Sequence, residues 1–478
     1  MRLTLPKARV RGLQVAGGAM LLFIFSLMTF VYGNAVRYIE MAACAVAVLL
    51  LAKWYSALMQ RFRDADPFSP YVIFPVAYVF WFLAGTINFI NPPTEFISGY
   101  NPFDPMPPWM YAVWLLGLAG YILGLLIGRA IPVGAKRDPD HRVDPVKMRH
   151  IVRILAAITV LSWIATQIQF NFPMLHPGEA GEARLKVHGI VYQTFITASW
   201  TCFVFSPVQV WIRGGKKRLD WVWTIAVPLI TGVLLLSQGA RSSVATPLLA
   251  LIIARCYFKK RPGWKLVLGA VVVVLLFSEL GYYREDSSWN QQLLEGAGVP
   301  GPLVPLLYVG LYVRYTVDTL RSLILTIPRQ VPFQHGAITL LPFRTLLPGH
   351  QEMSDIYFKN ILNRDFTGSG LPGTLLAPLY TDFGFFGIFV GMSGYGALLA
   401  WSFRRIRSKL NAIAIISYAW WMQATIFALY SNGFAYLNDF IMPALWVGLL
   451  YMVRDQKVWT GRTAVSTSPT TIAAESRS

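Results

Sequence analysis

Runs of roughly 18 to 22 apolar residues recur along almost the whole chain, and this recurrence constrains the fold more tightly than any other feature. At ~1.5 Å of rise per residue, each run is long enough to cross a ~30 Å hydrocarbon core as a helix. Inside lipid every backbone N–H and C=O must find a partner within the protein, which leaves only helices and closed barrels. The ten-residue alternation of a barrel strand is absent. Composition agrees, because 55% of the 478 residues are hydrophobic and only 14% are charged, outside the soluble globular range. The expected fold is all-α, a polytopic transmembrane helix bundle.

The runs predict spans at about 13–32, 37–56, 70–90, 108–131, 151–170, 189–212, 221–238, 242–257, 264–281, 374–402, 411–430 and 436–453, twelve in all. Basic residues in short loops stay on the cytoplasmic side, and here they alternate from loop to loop. With both termini cytoplasmic, 31 of the 42 Lys and Arg residues fall inside. The short outer loops then hold only Arg37, Arg184, Lys186 and Arg241. The formal net charge of +19 is thus mainly a topology signal and an attraction to anionic lipid, not a nucleic-acid footprint. The first run is too long for a signal-peptide core and lacks a small-residue cleavage site after it, so it is expected to stay as a helix. Cys44, Cys202 and Cys256 all fall in spans without paired spacing, which suggests neither a disulfide framework nor a thiolate metal site.

One membrane domain over residues 1–459 is expected, followed by a disordered cytoplasmic tail at 460–478 that is rich in Ser and Thr. A charged linker at 132–150 separates two halves, and no internal repeat stands out. The one large excursion is a periplasmic loop at 282–373. Within it, GPLVPLLYVGLYVRYTVDTLRSLILTI (301–327) reads as a helix that carries Arg314, Asp318 and Arg321 on one face. A lipid-exposed span would not carry those charges. A crossing here would also turn RRIRSK (404–409) outward, against the positive-inside rule. The segment is expected to lie at the outer interface or to re-enter, and PFQHGAITLLPFRTLLPGHQ (332–351) follows it as irregular chain.

The outer face carries the candidate chemistry. Arg241 stands in GARSS between two apolar runs, and CYFKKR at 256–261 fixes the cytoplasmic end of the second run, so Arg241 belongs to the opposite face. A guanidinium that stays charged and binds in bidentate fashion suits a pyrophosphate or another anion. Arg184 in HPGEAGEARLKVHG, Arg284 in YYREDSS, and Arg314, Arg321, Arg344 and Arg364 of the long loop add to an outer cationic pocket. Potential bases on that side are His176, His188, His335, His350, Asp318, Glu285 and Asp382. There is no P-loop, Rossmann glycine pattern, HExxH, GxSxG or carboxylate pair at metal spacing. No metal and no cofactor is expected, and the reaction must draw its energy from the substrate.

Three stretches carry a resemblance. DPFSPYVIFPVAYVFWFLAGTIN (66–88), SQGARSSVATPLLALIIA (237–254) and SGLPGTLLAPLYTDFGFFGIFVGMSGYGALLAW (369–401) resemble the corresponding parts of the bacterial O-antigen polymerases, which join oligosaccharide repeat units. The resemblance implies a metal-independent glycosyltransferase of the inner membrane that acts on undecaprenyl-diphosphate-linked oligosaccharides at the periplasmic face. It also implies a chain-length regulator and a flippase as partners, and an O-antigen, capsular or exopolysaccharide product. By the match, Arg241 is the first candidate for the pyrophosphate and Arg184 the second, with Arg284 and Arg314 behind them. For the base, His335 comes ahead of Asp318 and Asp382, although Asp382 in YTDFGFFG could instead cap N–H groups at a helix entrance. Two other readings stay open at this point. One is the sister ligase, which transfers glycan to a lipid A core; the other is a flippase or transporter of the same lipid-linked sugar.

Overall fold

The computed structural model describes residues 68–86, 106–132, 143–169, 190–214, 218–237, 242–258, 304–344, 354–362, 371–408, 412–430 and 438–454. The helices are α1 (Ile73–Thr86), α2 (Pro108–Ala130), α3 (Pro145–Gln169), α4 (Ile190–Ile212), a π turn (Val222–Ala226) that runs into α5 (Val227–Leu236), and α6 (Ser242–Phe258). After them come α7 (Val304–Thr326), α8 (Leu341–Arg344), α9 (Ser354–Ile361), α10 (Leu376–Ser408), α11 (Ala412–Phe427) and α12 (Asn438–Met452). Among the described residues the only β pairing is an isolated bridge between Val143 and Arg454. The expected spans at 13–32, 37–56 and 264–281 and the tail at 460–478 lie outside the described residues.

Among the described residues four helices, within Trp109–Ala130, Pro145–Gln169, Ile190–Ile212 and Leu376–Ile406, are long and apolar enough to cross a membrane. Their surfaces have the polarity of a lipid-facing protein. On α3, Ile154, Leu161 and Ile168 stand outward at spacings of seven, each more than half exposed, and Ile225, Leu229 and Val233, at spacings of four, are also more than half exposed. Water would not tolerate such a stripe, and a lipid tail does.

With lipid as apolar as leucine, these helices gain little from hydrophobic burial against one another, and they associate through close packing instead. The seam between α2 and α10 is built that way. A Cβ on Gly120 would sit 2.5 Å from the Phe389 carbonyl oxygen, one on Gly124 2.0 Å from that of Ser393, and one on Gly128 2.3 Å from that of Ala397. The α10 side replies with Gly396, whose Cβ would meet the Tyr121 carbonyl at 2.3 Å. Spacings of four keep the α2 glycines on one face, so two backbones touch along three turns. At the end of the seam Arg404 donates from Nη1 to the carbonyls of Gly128 and Ile131, at 3.4 and 2.7 Å, and also to that of Arg129. These are the orphan acceptors of the α2 C-terminus.

The seam also fixes direction, because residues 120, 124 and 128 meet 389, 393 and 397 in order, so α2 and α10 run parallel. Trp200 of α4 donates to the Ser243 carbonyl at 2.7 Å while Trp211 packs on Phe258, making α4 and α6 parallel as well. By contrast α3 and α4 are antiparallel: Trp163 shares a cluster with Tyr192 and Phe195, and Met148 and Val152 share one with Phe203 to Val208. These relative directions follow the alternation of the loop charges. One end of the bundle therefore gathers Arg129, Arg153, Arg255, Arg404 and Arg454, and the other gathers Gly85, Tyr380 and Tyr430.

Two expected boundaries need correction. The span expected at 151–170 begins at Pro145, because Asp144 accepts hydrogen bonds from the N–H groups of Val146 and Lys147 at 2.8 and 3.3 Å and starts the helix before the apolar run does. The span expected at 374–402 extends to Ser408 and is broken inside, at Gly384. Gly117 faces Leu376 while Gly120, one turn on, faces Phe389. Thirteen residues of α10 are thus taken up within a single turn of α2, so 376–383 folds back on the helix that follows.

The seam leads to a direct expectation. Gly124→Ala costs at least about 1–3 kcal/mol of stability by overpacking against backbone, whereas Gly394→Ala or Gly448→Ala, where a Cβ meets nothing within 4 Å, is near neutral. Thermal unfolding of the three purified variants in one detergent measures the difference.

Candidate functional site

At Gly384 the backbone takes φ 64° and ψ −150°, a conformation open to glycine and costly for any other residue. The break deprives the preceding turn of its helical N–H donors, and a separate segment supplies them. Gln334 N–H donates to the Thr381 carbonyl at 3.0 Å and His335 N–H to the Asp382 carbonyl at 3.1 Å. The Asp382 carboxylate, 0% exposed, accepts two more: Ile338 N–H on Oδ1 at 3.1 Å and Thr339 N–H on Oδ2 at 2.6 Å. The Phe333 ring covers the break, within 3.1 Å of where a Gly384 Cβ would be. Four backbone donors from 334–339 are therefore fastened to two residues of the broken helix, Thr381 and Asp382.

The segment so held carries His335, which is exposed and has φ 49°, and Gly336 with φ 96° follows it. Two left-handed residues in succession turn the chain sharply, and a non-glycine residue holds such a φ only where its surroundings impose it. Behind the segment, Tyr380 donates its hydroxyl to the Ile327 carbonyl at 2.8 Å and packs on Phe333 at 6.1 Å between centroids. That contact ties the end of α7 to the same corner.

Helix α7 is enclosed by protein and does not lie on a surface, with nearly every residue from 313 to 323 buried. Its neighbours Gly85, Trp81, Tyr430 and Tyr380 belong to the end of the bundle opposite the arginine cluster. Val317 fills the notch at Gly85, and Trp81 Nε1 donates to Thr316 Oγ1 at 3.0 Å. The three charges on its inner face are accommodated by pairing. Asp318 forms an ion pair with Arg321 at 3.0 Å, both side chains under a tenth exposed, and Arg314, 1% exposed, donates from Nη1 to the Gly85 carbonyl at 2.9 Å. Such a pair is costly to break because removal of one member takes the counter-charge from a buried partner.

Of the residues selected from sequence, the structure brings Arg314, Asp318, Arg321, His335 and Asp382 to one end of the bundle. Arg344 lies in α8. Arg184, Arg241 and Arg284 lie outside the described residues, as do His176, His188, Glu285, His350 and Arg364. Arg241 immediately precedes Ser242, the first residue of α6. Sequence reasoning missed the part played by Gly384, Phe333 and Tyr380. The available signal was the glycine series at 384, 387 and 391 after an aspartate: Cβ atoms on Gly387 and Gly391 would strike Leu379 at 2.2 and 2.4 Å, the mark of a chain that doubles back. Among the described residues no group of three or more His, Cys, Asp and Glu is arranged to hold a metal ion.

Residues 66–434 match a family model described as "Putative O-antigen polymerase". No curated protein and no solved structure matches the chain.

The buried pair gives a test independent of any activity. Asp318→Ala takes the paired carboxylate from the buried Arg321 and lowers stability by about 3–5 kcal/mol, and adding Arg321→Leu recovers a large part of that loss; chemical denaturation of the single and double variants reads it.

Proposed function

The chain belongs to the O-antigen polymerase family, a membrane-bound, glycosyltransferase-like class of polysaccharide biosynthesis, and we propose that it joins oligosaccharide repeat units carried on undecaprenyl diphosphate. In this reading the bundle sits in the inner membrane with its arginine-rich end cytoplasmic, and the end that bears His335 and Asp382 faces the periplasm. The charge pattern of the loops supports that orientation.

The step needs no cofactor and no metal. A hydroxyl of the incoming unit attacks the anomeric carbon of the growing chain, and a new C–O bond forms. The bond from that carbon to the diphosphate breaks, the hydroxyl proton passes to a base, and undecaprenyl diphosphate departs with the bonding pair. Charge grows on the diphosphate as it leaves, so fixed guanidinium groups in a partly dehydrated site lower the barrier. Arg241 is the first such group in this proposal, Arg184 the second, and Arg284 and Arg314 follow them.

One observation carries the assignment of the base. Asp318 is engaged by Arg321 and Asp382 by two backbone N–H groups, while His335 alone of these three is exposed. General-base assistance of this kind is worth ~10²–10⁴ in rate.

Purified full-length protein incubated with defined undecaprenyl-diphosphate repeat units should yield a ladder of products, unaffected by EDTA. Arg241→Ala should abolish the ladder and Arg241→Lys should cripple it, with folded protein retained in both. Transfer only to a lipid A core would identify a ligase, and full activity of both Arg241 variants would remove that residue from the site.

A further inference from the structure

We propose that Asp382 is a positioning residue, acting through the backbone of 334–339 to hold His335 over the broken helix, and that it takes no proton itself. The inference rests on the reading of His335 as the base. It starts from an accounting of donors and acceptors. A carboxylate that is 0% exposed and accepts N–H groups on both oxygens is fully engaged where it stands, and moving a substrate hydroxyl into that space would take the partner from one buried and one part-buried N–H group. The same residue's carbonyl accepts the N–H of His335. Asp382 thus grips the turn on both sides of its sharpest point, at 335 through the main chain and at 338 and 339 through the side chain.

The conformation under that grip is one the chain would otherwise leave. His335 at φ 49° and Gly336 at φ 96° do not persist in a free loop when the first carries a Cβ. Without the carboxylate the N–H groups of Ile338 and Thr339 turn to water, the turn relaxes, and the imidazole wanders from the reacting hydroxyl. Misplacement of a catalytic group by about 1 Å costs on the order of 10²-fold, so an isosteric change should be felt in turnover. In Asp382→Asn the amide keeps one acceptor and sets an NH₂ against one of the two N–H donors.

Three readings on the full-length protein test this. Amide exchange in Asp382→Asn should quicken across 334–340 while α2 and α4 keep their protection. Its kcat, per folded molecule, should fall ~10–100-fold with KM little changed and the acid limb of the pH profile intact. His335→Asn, which keeps a residue tolerant of the left-handed region, should lose that limb, and the double variant should be no slower than His335→Asn alone. Unchanged exchange at 334–340 overturns the proposal, and so does loss of the acid limb in Asp382→Asn, or a double variant whose rate is the product of the two single losses. A wild-type rate in His335→Asn removes the base assignment instead, so the two failures are read on different variants.

Discussion

A helix that stops or bends where water is scarce leaves carbonyls that something else must satisfy, and much of this molecule is arranged around that requirement. At one end of the bundle the last carbonyls of α2 are taken by the guanidinium of Arg404. At the other, the carbonyls of Thr381 and Asp382, cut off by the break at Gly384, are taken by the N–H groups of Gln334 and His335. A segment distant in sequence is recruited in each case. The break could not exist without its borrowed donors, and the donors would have no fixed shape without the break. An exposed histidine in a constrained turn is the by-product.

How much of this was legible in the sequence depends on which physical signal each feature emits. Apolar run length marks the part of a helix that lipid touches, so α2, α4 and α6 lie within a residue or two of the expected 108–131, 189–212 and 242–257. It is blind to helix that continues into the polar zone, which is why α3 starts six residues before its run, at the Asp144 cap. The break in α10 is hidden for the opposite reason. The stretch YTDFGFFGIF is as apolar as the span around it, and nothing in hydropathy separates a glycine that permits helix packing from one held at φ 64°.

Charges were read correctly as unfit for lipid, but their setting was only partly foreseen. Arg314, Asp318 and Arg321 share a helical face as their spacing requires, and of the two settings expected for the segment, the outer interface or re-entry, the burial of 313–323 disagrees with the first. Enclosure is a property of partners far along the chain, Gly85 and Tyr380 among them, and no local pattern announces it. Asp382 shows the same limit. Its residue type made it a candidate base or an acceptor of N–H groups at a helix entrance; it does accept two N–H groups, but they come from residues 44 and 43 positions earlier and not from the helix it opens.

The glycine seam also sets a schedule for assembly. Ser393 is synthesised roughly 270 residues after Gly124, the partner it touches, and at ~5–20 residues per second that interval is on the order of tens of seconds. Throughout it the small-residue face of α2 lies in the membrane with nothing to pack on. Completion of the bundle is therefore reserved for one of the last helices to arrive, and a chain truncated before α10 would be left with that notched face unfilled, a surface by which quality-control machinery could tell it from the finished protein.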